Sequence, residues 1–109
     1  MSRAAVGDLE HQVLLAVLRL KGEAYSVSVV LEIEARTGRE VAQSAVFIAL
    51  RRLEAKGLLR SRLQEERDGR SRLRRYFDLT PAGLEMLREM RRVLRSFWHG
   101  LAAELEGVQ

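Results

Sequence analysis

The chain contains no cysteine. Disulfides, thiol catalysis and zinc–thiolate sites are thereby excluded. Histidine is nearly as scarce: His11 and His99 are the only two, far apart in sequence, and no ligand spacing supports a metal site. No apolar run approaches the roughly 18 residues of a membrane span. The stretch "VLLAVL" is too short, and too acidic at its front, for a signal peptide. Nucleophile–base constellations and phosphate loops are missing as well. These absences argue against an enzyme, a metalloprotein and a membrane protein. They lead to the expectation of a soluble, cytoplasmic protein without a cofactor.

What is present suits one small folding unit. A length of 109 residues with 47% hydrophobic content allows a modest core. The formal net charge of +4 leans toward a polyanionic partner, although many small basic proteins bind none.

Three helical patterns come first. In "DLEHQVLLAVLRLKG", Leu9, Val13, Ala16, Val17 and Leu20 recur at helical spacing, with Asp8 as N-cap and Lys21-Gly22 as the stop. In "YSVSVVLEIEARTG", Ser26 can cap a helix whose apolar surface is Val27, Val30, Leu31 and Ile33, and Gly38 ends it. In "VAQSAVFIALRRLEAKG", Val46, Leu50 and Leu53 form the stripe.

The period then changes to two. Leu59, Ser61 and Leu63 share one face and Arg60 and Arg62 the other; Leu73, Arg75, Phe77 and Leu79 alternate with Arg72, Arg74, Tyr76 and Asp78. This predicts two strands, with a turn at Asp68-Gly69. Thr80-Pro81 then opens a last helix, expected to run to about Glu106. Along it, Leu87, Met90, Leu94, Phe97 and Leu101 recur at alternating spacings of three and four, as in a coiled-coil seam. So broad an apolar surface, on a helix that overhangs a small domain, points to a homodimer.

The expected fold is mainly α with a small β-hairpin. It is a winged helix-turn-helix, a three-helix bundle plus two-stranded wing, followed by a long C-terminal dimerisation helix. Residues 1–79 would form the DNA-binding domain and residues 80–109 the dimerisation helix. In this architecture the third helix enters the DNA major groove, and the wing reaches the backbone or minor groove. Arg70, Arg72 and Arg74 of the wing would face phosphates, which a guanidinium can bind in bidentate fashion. The acidic residues Glu65, Glu66 and Asp68 partly neutralise the wing tip, which favours a merely solvated role there.

The phrases "LEHQVLLAVL", "EAYSVSVVLEIEARTGREV", "VFIALRRLEAKGLLRSR" and "RRYFDLTPAG" resemble the PadR family of bacterial transcriptional regulators. The likeness covers about residues 9 to 84. It implies a homodimeric repressor of double-stranded DNA operators, dimerising through the last helix with help from the first. Tyr25 matches a family tyrosine associated with backbone contact; it could equally be a half-buried anchor. Where the family often shows Gly-Thr-Leu-Tyr, this chain has Ser44-Ala45-Val46-Phe47. The threonine and tyrosine hydroxyls are therefore absent.

The third helix would present Gln43, Ser44, Ala45, Ile48, Arg51 and Arg52. Gln43 and Ser44 could read base edges, Ala45 or Ile48 could touch a thymine methyl, and Arg51 or Arg52 could bond guanine or phosphate. Each arginine could instead pair locally, for instance with Glu54 or Glu10. Some relatives bind flat apolar molecules between subunits, so Trp98 is a candidate contact for a small planar hydrophobic effector. A different class of function also remains open: a winged-helix protein-interaction module that has lost specific DNA binding.

Overall fold

Apolar spacing becomes structure in the order the sequence suggests. A computed structural model describes residues 6–66 and 72–107. Its elements are α1 (Asp8–Leu20), α2 (Ser26–Thr37), α3 (Gln43–Ala55), β1 (Leu59–Glu65), β2 (Leu73–Leu79), α4 (Pro81–Trp98) and α5 (Ala102–Leu105). The three first helices enclose one core. Val13, Leu14 and Val17 of α1 meet Val29 and Ile33 of α2 and Val46, Leu50 and Leu53 of α3. Leu58, Leu59, Phe77 and Leu87 close it from the hairpin and α4. Each such large side chain contributes about 1.5–3 kcal/mol on full burial.

Two helix starts differ from expectation. Gly7, not Asp8, occupies the cap of α1, and its N–H donates to Glu10 Oε1 at 3.4 Å. Asp8 instead takes the first helical position, where its carboxylate stands at the positive end of the helix dipole. Tyr25, not Ser26, caps α2, and its N–H donates to Ser28 Oγ at 2.9 Å.

The buried face of α2 also differs. Ile33 enters the core as the spacing suggests and Val30 packs against it, but Val29 is buried in place of Val27 and Leu31, which are exposed. This helix carries apolar residues on adjoining faces, so spacing alone did not fix which one turned inward.

β1 and β2 pair antiparallel, from Leu59 opposite Leu79 to Glu65 opposite Leu73. Asp68-Gly69 lies outside the described residues. Both faces of β2 are covered at one point. Phe77 enters the core, and Tyr76, on the arginine face, is buried too. Leu63 and Leu73, further along the hairpin than Phe77, are exposed. The Phe77 N–H donates to Ala24 O at 2.8 Å, which ties the hairpin to the segment before α2.

Thr80 joins the wing to α4. Its Oγ1 accepts from the Gly83 N–H at 3.0 Å and donates to Gly57 O at 2.6 Å, and its N–H donates to Leu58 O at 3.1 Å. Gly83 permits this approach: a Cβ there would stand 2.1 Å from Leu58 O. The far end departs from the expected continuous helix. α4 stops at Trp98, and α5 begins only at Ala102. Between them Gly100 adopts φ +80°, a left-handed conformation that breaks the helical path.

Candidate nucleic-acid interface

The start of α3 is held by what lies behind it. Val46 and Leu50 are fully buried, so the residues in front of them are presented on a rigid base. Gln43 and Ser44 are exposed at the first turn. Gln43 Nε2 donates to Ser26 Oγ at 3.3 Å, joining the starts of α2 and α3.

The remaining residues expected on the reading face divide between two sides. Ala45, Ile48 and Arg52 line a groove against Gly7–Glu10 at the start of α1. Phe47 lines a second groove toward the wing. Arg51 is exposed, with its Nε 3.8 Å from Glu54 Oε1. Glu54 in turn accepts from Ser61 Oγ at 2.5 Å, and Ser61 Oγ accepts from Arg75 at 2.9 Å. A polar chain therefore links α3 to both strands of the wing.

The second groove brings the three expected elements together. It is lined by Tyr25, Ser26 and Val27 at the start of α2, by Phe47 of α3, and by Arg72, Leu73, Arg74 and Arg75 of the wing. Arg72 is exposed there. Arg70 lies outside the described residues. Arg74 is not a loose surface cation. Its guanidinium stands 4.0 Å over the Tyr25 ring and 3.1 Å from Glu66 Oε1.

Tyr76 completes this cluster, and the sequence reading did not single it out. Its ring meets Tyr25 edge-on at 5.5 Å, and its hydroxyl donates to Glu66 Oε1 at 2.5 Å. Arg62 lies 5.2 Å above the same ring while pairing with Asp78 at 2.9 Å. The hydrogen bond to Glu66, and then burial, raise the Tyr76 hydroxyl above the ordinary phenol range, so it remains a donor at neutral pH. A signal was available in the sequence. Tyr76 falls on the arginine face of a period-two strand, between Arg74 and Asp78, where an aromatic ring can stack guanidinium groups.

The residues of the expected dimer seam lie along α4. Leu87 belongs to the core of its own chain, and Met90 is half-buried. Leu94 is 46% and Phe97 77% exposed, and Trp98 and Leu101 are exposed as well. Beside them runs a groove of about 450 Å³ between α1 and α4, lined by Leu15, Leu18 and Leu94 with His11, Arg91 and Arg95 among its polar groups. Burial lowers the His11 imidazole below its ordinary value, against the smaller opposing pull of Asp8. Among the described residues no group of three or more His, Cys, Asp or Glu side chains could hold a metal ion. No described helix is long and apolar enough to cross a membrane.

Comparison with known proteins agrees with this geometry. The sequence profile of the Transcriptional regulator PadR-like family matches residues 14–89. Among solved structures, a PadR family transcription regulator from Clostridium difficile superposes with a TM-score of 0.76 at 20% identity, covering 91% of this chain and 99% of that one. A PadR family transcriptional regulator from Eggerthella lenta gives 0.67 at 28% identity, covering 86% and 80%. A PadR-like transcriptional regulator from Bacillus cereus gives 0.69 at 18% identity, covering 92% and 89%. No curated protein matches the chain by sequence.

Proposed function

Since this chain belongs to the PadR-like family of transcriptional regulators, and not to an enzyme family, we propose that it is a cytoplasmic, homodimeric repressor that binds operator DNA. The observation that carries this reading is the groove shared by the start of α2, α3 and the wing arginines. It sets Arg72 and Arg74 beside the exposed face of a rigidly backed helix. Gln43 and Ser44, with Arg51, would read bases, while Ala45, Ile48 and Arg52 would meet DNA from the side of α3 that faces the start of α1. Arg72, and Arg70 with it, would serve phosphates.

We assign DNA binding to residues 1–79 and dimerisation to residues 80–109, with Leu87 acting from within the core to fix the pitch of the helix. Half-buried Met90 and exposed Leu94, Phe97 and Leu101 would meet a second copy, and exposed Trp98 offers a stacking surface for a planar hydrophobic effector.

One observation favours a second reading. Phe47 and Ile48 are both exposed on α3, and an apolar face there would also suit a protein partner. Salt separates the two. Each phosphate contact lowers the slope of log affinity against log salt by about 0.9. Anisotropy titration of the intact chain on labelled duplexes should therefore show binding that weakens steeply with salt. Absence of duplex binding at low salt would sink the DNA reading and leave the protein-interaction module.

A further inference from the structure

We propose that Glu66 is an internal stand-in for a DNA phosphate: it occupies Arg74 and Tyr76 in the free protein, and a backbone phosphodiester takes its place on binding. This inference rests on the DNA-binding reading and adds to it a masked phosphate site.

The geometry is that of an anion site already filled. Two donors converge on one oxygen. Arg74 approaches Glu66 Oε1 at 3.1 Å and the Tyr76 hydroxyl approaches it at 2.5 Å. Carboxylate and phosphate oxygens accept the same charge-assisted bonds from guanidinium and hydroxyl groups. The donors do not depend on Glu66 for their positions. Arg74 lies over the Tyr25 ring, and the Tyr76 ring is buried edge-on against Tyr25 and beneath Arg62. If the carboxylate swings away, both donors stay aimed at the place it leaves.

One of the two donors borders the groove where DNA is proposed to lie. Arg74 lines the groove with Tyr25, Phe47 and Arg72. Glu66 follows the last residue of β1, and its backbone N–H donates to Arg72 O at 3.0 Å. Rotation of its side chain therefore leaves the strand pairing intact. The incoming phosphate must offset the loss of the ion pair. The Arg74 and Glu66 side chains are 24% and 15% exposed, so water screens the pair in part.

Exchange predicts a particular pattern of affinities. Glu66→Gln keeps an acceptor for Tyr76 but removes the competing charge. It should tighten binding to a mixed-sequence duplex of about three helical turns by about three- to tenfold. The salt slope should stay the same, because the same phosphates are neutralised in both proteins. Glu65→Gln removes an equal charge one residue away and should change affinity by less than about twofold.

In an Arg74→Gln background the gain from Glu66→Gln should also fall below about twofold, because little is left to compete for. All four variants and the parent are compared by anisotropy titration, with thermal unfolding as the check on folding. Equal gains from Glu65→Gln and Glu66→Gln, or a full gain without Arg74, would mean long-range repulsion only and overturn the proposal. So would an unchanged affinity in a folded Glu66→Gln protein whose parent binds DNA. If neither parent nor variant binds any duplex, the DNA reading itself fails, and the masked site falls with it.

Discussion

The guanidinium of Arg74, on the second strand of the wing, stands 4.0 Å from the ring centroid of Tyr25, the residue that caps α2. This contact clamps the wing to the helix-turn-helix. A shielded cation–π contact is worth about 0.5–2 kcal/mol. The edge-on contact of Tyr25 with Tyr76 adds about 0.5–1.5 kcal/mol. Tyr25→Ala should therefore lower unfolding stability by about 1–3 kcal/mol, whereas Tyr25→Phe should cost less than about 0.5 kcal/mol. Urea unfolding of the two variants checks this. A Tyr25→Ala protein as stable as the parent would show that the clamp contributes nothing. A Tyr25→Phe protein that is stable but binds DNA poorly would give the hydroxyl a backbone contact as well.

Rigid and peripheral groups should act differently on DNA. Gln43→Ala or Ser44→Ala should narrow the gap between selected and scrambled duplexes by about 1–3 kcal/mol for a good base contact. Arg72→Ala should weaken both duplexes alike and flatten the salt slope by about 0.9. Titrations of selected and scrambled duplexes at several salt concentrations distinguish the two patterns.

Assembly is tested at the far end of α4. Phe97→Glu puts a charge on a residue that is exposed in the isolated chain, so its folding should be unaffected. If Phe97 meets a second copy, the variant should dissociate at least about tenfold more readily, as burial of an unpaired charge costs several kcal/mol. Light scattering across a dilution series reads the change. An intact parent that is monomeric throughout would remove the basis for this prediction.

Gly83→Ala should be among the most damaging small substitutions in the chain. The added Cβ would fall 2.1 Å from a backbone oxygen, Leu58 O, which cannot simply rotate away. A loss of about 3–5 kcal/mol is expected, enough to threaten folding of a domain this size. Denaturation of Gly83→Ala beside Ala82→Gly, a control on an exposed neighbouring position, checks the assignment.

Acid should weaken the fold through His11. Its imidazole is lowered by burial, while the unfolded chain takes up a proton near the ordinary value of about 6.5. Above that value neither state is protonated and nothing is lost. As pH falls through about 6.5 the unfolded state binds the proton first, and stability drops until the lower folded value is passed. The nearby Asp8 carboxylate opposes this in smaller part by favouring the charged form. The melting temperature should fall as pH drops through about 6.5, and His11→Gln should remove that part of the dependence.

Much of this architecture could be read from spacing. Val46, Leu50 and Leu53 repeat on one side of α3, and the alternation around Phe77 marks the wing. Thr80-Pro81 gives the start of α4, because cap and ring chemistry act within one turn. The misreadings share a cause: they concern choices made by distant contacts. Val27 and Leu31 have the right spacing for a core beside Ile33, but tertiary packing selected Val29. Gly100 permits a positive φ, but the seam spacing that runs past it, from Leu94 and Phe97 to Leu101, suggested a continuous helix. Arg74 reads as a free wing charge until the fold sets Tyr25 beneath it. Tyr76 and Glu66 were invisible as a pair because nothing in sequence joins a β2 ring to the residue that follows β1.

The close seat of Gly83 against Leu58 has a mechanical consequence. Backbone meets backbone there, so the start of α4 has no slack with respect to the wing or to the end of α3. The helix of 18 residues extends about 22 Å beyond this fulcrum. A tilt of about 10° would sweep its tip through about 4 Å, and the same motion at Leu58 would be a small fraction of that. Phe97 and Trp98 thus sit on the long arm of a lever, and α3 on the short one. A partner gripping the tip would therefore move the seat at Leu58 by only a small fraction of its own displacement.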